Sequence, residues 1–158
     1  MINYLNENER DKKASADLLE FLVEILNAAA ISGGSDYLLA KRLDIILTSD
    51  RGEGRSIREL MLRLVDMYCS GLITDLAAGN LGLSRSEIAI CAMSVIGMEP
   101  ATICKICKYE NEQSFYNRRA DIRRKIGLER QASLEGYLLD RAESLKRQRE
   151  SRIAEMIM

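Results

Sequence analysis

Apolar residues recur at the spacing of an α-helix along almost the whole chain, and this pattern limits its fold more than any other feature. In the first such segment Leu18, Leu22 and Ile25 follow one another at steps of four and three, which places them on one helical face. Only one of the 158 residues is proline, so few positions interrupt a helix. The first 80 residues contain no alternating strand pattern. The sequence therefore predicts an all-α fold of about seven helices.

Turns and capping residues divide this pattern in the first half of the chain. The stretch Ser32–Ser35 and the loop Ser49–Gly54 separate three predicted helices. Ser56 and Glu59 have the spacing of a capping box, in which a hydroxyl and a carboxylate satisfy the free N–H groups at a helix start. The helix that they open is predicted to run to about Leu76. We expect residues 1–80 to form a helical segment for oligomerisation or signal input.

The second half contains a tighter succession of signals. Ser84 and Glu87 repeat the capping box and open a helix that Gly97 ends. Pro100 suits the first turn of a short helix, and a turn then leads to a basic helix closed by Gly127. A last helix follows. A capped helix, a short helix, a turn and a basic helix form the order of a helix-turn-helix.

The residues that carry most enzyme chemistry are scarce. The chain has no histidine, the commonest general base and a common metal ligand. A zinc site at Cys104 and Cys107 would need two further ligands, and a redox motif would need a preceding strand. Cys69 and Cys91 do not form a second such pair. We therefore expect no enzyme activity, no catalytic residues, no cofactor and no bound metal.

Cysteine usage and hydropathy also indicate a cellular setting. No secretory signal precedes the four cysteines, so a reducing cytoplasm is expected. The longest apolar run, Ile88–Met98, is shorter than the 20 or so residues of a membrane span. We expect a soluble chain with no membrane segment, and a further domain or a partner protein is compatible with it.

Basic charge is concentrated in one predicted helix. Residues 81–158 carry 14 basic and 11 acidic side chains, whereas residues 1–80 carry 9 and 13. Within the segment "SFYNRRADIRRKIGL", Ser114–Leu128, a helix places Phe115, Ile122 and Ile126 on one stripe. We expect this stripe to pack against three residues of the preceding helices, namely Ile88, Ala92 and Ile103.

The opposite stripe has the side chains that read DNA bases. Arginine and asparagine make bidentate contacts with guanine and adenine, and alanine lets a helix approach the groove. By composition alone, a solvated surface face explains the same stripe equally well. If the helix reads DNA, we expect Tyr116, Asn117, Ala120 and Arg124 to face the bases. The residues expected to lie toward phosphates or to flank the contact are Lys108, Ser114, Arg119, Arg123, Lys125 and Arg130.

The residues of this region also resemble a known family. The segment Leu83–Leu128, "LSRSEIAICAMSVIGMEPATICKICKYENEQSFYNRRADIRRKIGL", resembles the LuxR-type, or GerE-type, helix-turn-helix, in particular the divergent form of Bacteroidetes transcription regulators. The turn is one residue longer than in that family, Arg118 replaces its usual histidine, and Cys104 replaces an alanine. The positions that match the family pattern are Leu83, Ser84, Glu87, Gly97, Ile103, Ser114, Phe115, Ile122, Lys125, Ile126 and Gly127.

The resemblance implies a four-helix DNA-binding domain at residues 81–140, with residues 141–158 as a charged extension of its last helix. The segment Ser133–Leu139 resembles the family's fourth helix, which often dimerises. The expected function is a sequence-specific transcription regulator that binds double-stranded DNA as a homodimer. The alternative is a helical protein–protein interaction module that keeps the helix-turn-helix shape without binding DNA.

Overall fold

The structure, a computed structural model, describes residues 13, 16–18, 20–25, 27–28, 31–48, 56–129 and 131–157. Within these residues the regular secondary structure is helical and includes no strand, which confirms the all-α prediction. The described residues between 16 and 28 are helical, and seven bounded helices follow them. They are α1 (Asp36–Thr48), α2 (Ile57–Tyr68), α3 (Leu72–Ala78), α4 (Arg85–Val95), α5 (Pro100–Ile106), α6 (Glu112–Ile126) and α7 (Leu134–Ile157).

Contacts divide the chain into two compact units, Met1–Leu60 and Met61–Met158. In the first unit, the predicted turn is present at residues 32–34, and the Ser35 hydroxyl accepts a hydrogen bond from the Leu38 N–H at 3.3 Å, which caps α1. The second unit includes α3, which packs against both α4 and α7.

The helix predicted from Ser56 to about Leu76 is wrong, because the chain turns between α2 and α3. Ser70 and Gly71 both have positive φ angles, 59° and 87°, which an α-helix does not accommodate. Asp66 stabilises the turn: its carboxylate accepts hydrogen bonds from the Thr74 N–H at 2.9 Å and the Thr74 hydroxyl at 2.8 Å. Asp66 thereby satisfies a free N–H in the first turn of α3.

Helix α4 lies at the centre of the second unit, where it packs against α3, α6 and α7. Every residue from 87 to 94 is buried, as expected for a helix that is apolar on all sides. The predicted capping box is present: the Ser84 hydroxyl accepts from the Glu87 N–H at 3.2 Å, and the Glu87 carboxylate accepts from the Ser84 N–H at 2.9 Å. Ile96 is 47% exposed because it lies beyond the last turn of the helix.

Capping residues fix both ends of α6. The Asn111 side chain accepts a hydrogen bond from the Ser114 N–H at 3.0 Å. At the other end Gly127 has a φ of 84°, and the N–H groups of Gly127 and Leu128 bond to the carbonyl oxygens of Arg124 and Arg123. This is the Schellman arrangement, in which glycine takes the left-handed position. Helix α6 therefore ends at Gly127 as the sequence predicts, but it begins at Glu112, two residues before the predicted Ser114, because Asn111 caps it.

Helix α7 has 24 residues, and only its first half packs against the rest of the unit. Leu134 and Leu138 are completely buried. Arg141 forms two 2.8 Å hydrogen bonds with Asp75 of α3. From residue 146 to residue 157 every side chain is exposed. None of the described helices has both the length and the apolar composition that crossing a membrane requires.

Candidate nucleic-acid interface

Helix α6 rests on α4 and α5 through its apolar stripe. Phe115 and Ile122 are buried, with 1% and 0% of their surface exposed, and Ile126 is half-buried. Ile103 of α5 and Ala92 of α4 are also buried, and α6 contacts both of these helices. The buried stripe fixes which side of α6 faces outward.

The side chains predicted to face DNA bases all lie on the outer side of α6. Tyr116, Asn117, Ala120 and Arg124 are exposed and follow one another at steps of one, three and four, so they form one continuous strip on the helix. Gln113, which sequence reasoning missed, extends it by donating a 2.9 Å hydrogen bond to the Asn117 side-chain oxygen. We call these five residues the reading strip. Its side chains offer hydrogen-bond donors and acceptors to solvent, and the small side chain of Ala120 leaves space between them.

Arg124 lies at the C-terminal end of the reading strip. Its side chain is 76% exposed, and its guanidinium lies 2.9 Å from the Asp121 carboxylate one turn earlier. Exposed pairs of this kind are weak, so the guanidinium is able to exchange Asp121 for another acceptor. The strip therefore contains an accessible cation beside a polar amide and an aromatic ring.

Three of the predicted flanking residues occupy different settings. Lys108 is exposed and has a φ of 61°, at the turn between α5 and α6. Ser114 is half-buried, and its hydroxyl contacts the Asn111 side chain at 3.2 Å. Arg123 is half-buried, and its Nε is buried without a hydrogen-bond partner among the described residues. Arg130 lies outside the described residues.

Arg119, predicted to lie toward phosphates, is engaged within the chain. Its guanidinium forms a 2.6 Å ion pair with Glu135 of α7, and only 17% of its side chain is exposed. It also lies over the Phe115 ring, 5.8 Å from the ring centroid. The hydrogen bond from Arg119 holds the pKa of Glu135 below its ordinary value, against the opposing effect of burial. Arg119 thus joins α6 to α7.

Lys125, also predicted to lie toward phosphates, forms a 2.6 Å ion pair with Glu87 of α4. The Glu87 side chain is completely buried. Burial by itself raises the pKa of Glu87, but the hydrogen bonds from Lys125 and Ser84 outweigh it and hold the pKa below its ordinary value. The sequence identified Glu87 only as a capping residue; no local pattern indicates a partner 38 positions away.

The four cysteines, Cys69, Cys91, Cys104 and Cys107, are free thiols. Cys91 is fully buried, and burial raises its pKa to about 12. Cys104 is buried, its pKa is raised for the same reason, and its thiol donates to the Asn111 carbonyl oxygen at 3.7 Å. In the part of the chain that the structure describes, no three Cys, Asp or Glu side chains lie close enough together to hold a metal ion.

The chain was compared with models of protein families, with curated proteins and with solved structures. None of the three comparisons finds a match. The likeness to LuxR-type modules therefore rests on the residues of Leu83–Leu128 alone.

Proposed function

We propose that this chain is a sequence-specific DNA-binding transcription regulator that inserts α6 into the major groove of double-stranded DNA. The observation that carries the proposal is the reading strip. Arg124 and Asn117, whose side chains match the donor and acceptor patterns of guanine and adenine, are exposed on the same face of α6, about two turns apart. Ala120 between them allows close approach to the groove floor.

The positive charge of α6 also favours DNA as the ligand. The helix carries five basic and two acidic side chains. Lys108 lies exposed just before it, where a cation is well placed for a phosphate beside the groove. Half or more of protein–DNA hydrogen bonds go to the backbone, which positions the reading residues. We assign that role to Lys108, Ser114 and Arg123.

A homodimer fits this function, because paired modules bind two half-sites about one DNA turn apart. The outer half of α7 exposes Ile153, Met156 and Ile157, which gives a second copy an apolar surface to contact. The cysteines of the described structure are free, which fits a reducing cytoplasm.

One observation favours the alternative, a protein–protein interaction module. Two of the cations predicted to contact phosphates, Arg119 and Lys125, are already paired with carboxylates. A helix-turn-helix shape with fewer free cations would still present the exposed apolar end of α7 to a protein.

Fluorescence anisotropy on selected and random duplexes over a salt series distinguishes the two functions. The test variant is Arg124→Ala, and the matched control is Arg147→Ala, because both side chains are 76% exposed and each lies near a carboxylate of its own helix. Arg124→Ala should weaken binding to the selected duplex by about 1–3 kcal/mol. Arg147→Ala should bind nearly as the wild type does.

Asn117→Ala gives a second, independent readout. It should relax the preference at one base pair and leave binding to random duplexes nearly intact. If the wild type binds no duplex at low salt, or if Arg124→Ala and Asn117→Ala both bind as the wild type does, the regulator function fails and the interaction module replaces it.

A further inference from the structure

We infer that two ion pairs, Lys125–Glu87 and Arg119–Glu135, hold α6 in the orientation that presents the reading strip. This inference rests on the proposed function. It assigns Glu87 and Lys125 as positioning residues, which contact no DNA themselves, and it removes Lys125 and Arg119 from the set of phosphate contacts.

The placement of the two cations on α6 is the first argument. Arg119, Ile122 and Lys125 follow at steps of three, so the cations lie on either side of the fully buried Ile122. One cation reaches Glu87 on α4 and the other reaches Glu135 on α7, each at 2.6 Å. A roll of α6 about its own axis would pull one of these cations away from its carboxylate, so a tether on each flank opposes rolling in both directions.

The burial of Glu87 is the second argument. Its side chain is 0% exposed, and an ionised carboxylate in such a place requires charged or hydrogen-bonding partners. One of its oxygens accepts from both Ser84 and Lys125, whereas the other has no partner among the described residues. Lys125 is therefore the cation that balances this carboxylate, and moving it toward a phosphate would leave Glu87 without a counter-charge.

Neutralising Glu87 should change the affinity for DNA in the direction opposite to that expected from charge alone. Neutralising an acidic residue near a DNA-binding helix normally strengthens binding, because repulsion of the phosphates falls. If Glu87 positions α6, then Glu87→Gln weakens binding to the selected duplex instead. Glutamine keeps the shape and an oxygen that accepts from Ser84, so the substitution removes chiefly the negative charge that Lys125 balances.

The experiment measures the affinity of the full chain for a selected and a random duplex over a salt series. The variants are Glu87→Gln, Lys125→Met, the double variant and Lys125→Arg as the conservative rescue. Each single variant should lose roughly threefold to thirtyfold in selected-duplex affinity, the usual coupling between contacting residues. The double variant should lose no more than either single one, and Lys125→Arg should recover most of the loss. The salt slope should stay at the wild-type value.

Three results would overturn the inference: tighter binding by Glu87→Gln, a salt slope reduced by about one in Lys125→Met as for a lost phosphate contact, or additive losses in the double variant. The double variant is also the control for misfolding. It has neither the Glu87 carboxylate nor the Lys125 ammonium, so it leaves no unpaired buried charge that would destabilise the fold.

If the wild type binds no duplex, the proposed function fails and the tether is tested by amide hydrogen exchange. Loss of protection across Glu112–Ile126, equal in both single variants and not additive in the double, supports the tether. Unchanged protection refutes it.

Discussion

At the scale of single residues, burial distinguishes side chains that the helical pattern alone treats alike. Ile122 is 0% exposed and Ile45 is 60% exposed, although both are isoleucines inside a helix. Ile122→Ala should leave a cavity and lower the free energy of unfolding by about 2–5 kcal/mol. Ile45→Ala, the control, should change it by no more than about 0.5 kcal/mol. Urea denaturation measures both, and equal effects would show that α6 is not packed as the structure has it.

Lys108 is a second residue whose conformation makes a measurable difference. Its φ of 61° lies in the left-handed region, which costs a non-glycine residue about 1–2 kcal/mol. Lys108→Gly should therefore raise stability by up to about 1 kcal/mol, because the cost of ordering glycine offsets part of the relief. Lys108→Ala removes the same charge but keeps the strain. The two variants should weaken DNA binding equally and differ in melting temperature. Equal melting temperatures would contradict the left-handed geometry.

The outward direction of the reading strip could be predicted from the sequence, but the partners of its neighbours could not. Helical periodicity places Asn117 and Arg124 opposite Phe115 and Ile122, with Tyr116 at the edge of the same outer face, and the structure exposes all three. The pairing of Arg119 and Lys125 depends on carboxylates brought close only by the packing of other helices. The sequence alone therefore does not distinguish a basic side chain that contacts a phosphate from one that pairs with a buried glutamate.

At the scale of helices, the sequence predicts where a helix starts from its capping residues more reliably than it predicts a turn inside a long apolar pattern. The predicted capping box at Ser84 begins α4 where expected, whereas Asn111, which caps α6, was not predicted as a capping residue. The break before α3 was missed because the apolar pattern continues across it, and because its capping group, Asp66, belongs to the preceding helix. A cap supplied across a turn has no fixed spacing, so local patterns do not reveal it.

The ion pair between α3 and α7 should make stability depend on pH. The hydrogen bond from Arg141 holds the pKa of Asp75 below its ordinary value of 3.8. A depressed pKa contributes stability above the unfolded-state value, and the contribution is lost as the pH falls through the folded-state value. Asp75→Asn should be less stable than the wild type by about 1 kcal/mol at pH 6, and the difference should shrink below about pH 4.

Thermal melts between pH 3 and pH 7 test this dependence. Asp140→Asn, an exposed aspartate on α7, is the control and should follow the wild-type curve. A constant difference between Asp75→Asn and the wild type at every pH would show that the Asp75 charge contributes nothing to the link between α3 and α7.

At the scale of the whole molecule, the all-α class follows from periodicity, whereas the extent of the compact units does not. The second unit includes α3 because α3 packs against α4 and α7, and such contacts between distant segments have no local sequence signal. Binding to two half-sites leads us to expect a homodimer. Light scattering at tens of micromolar should give twice 17.8 kDa, with and without DNA.

A double variant, Ile153→Asp with Met156→Asp, tests whether the outer half of α7 forms the dimer contact. Both side chains are exposed, so the fold should tolerate the charges, whereas a shared apolar contact should not. We expect a monomer whose second unit still unfolds cooperatively, at a melting temperature no higher than that of the wild-type dimer. A wild-type monomer at these concentrations would contradict the homodimer, and a dimer of the double variant would place the contact elsewhere.

The length of α7 amplifies any change in its tilt into a larger displacement of its C-terminal end. Its inner half is packed through Leu134, Leu138 and Arg141, while residues 146–157 continue the helix for about 18 Å. A tilt of about 10° in the inner half would displace the tip by about 3 Å over that length. Since Glu135 in the inner half pairs with Arg119 of α6, we expect a partner bound at Ile153 or Met156 to alter how α6 presents the reading strip.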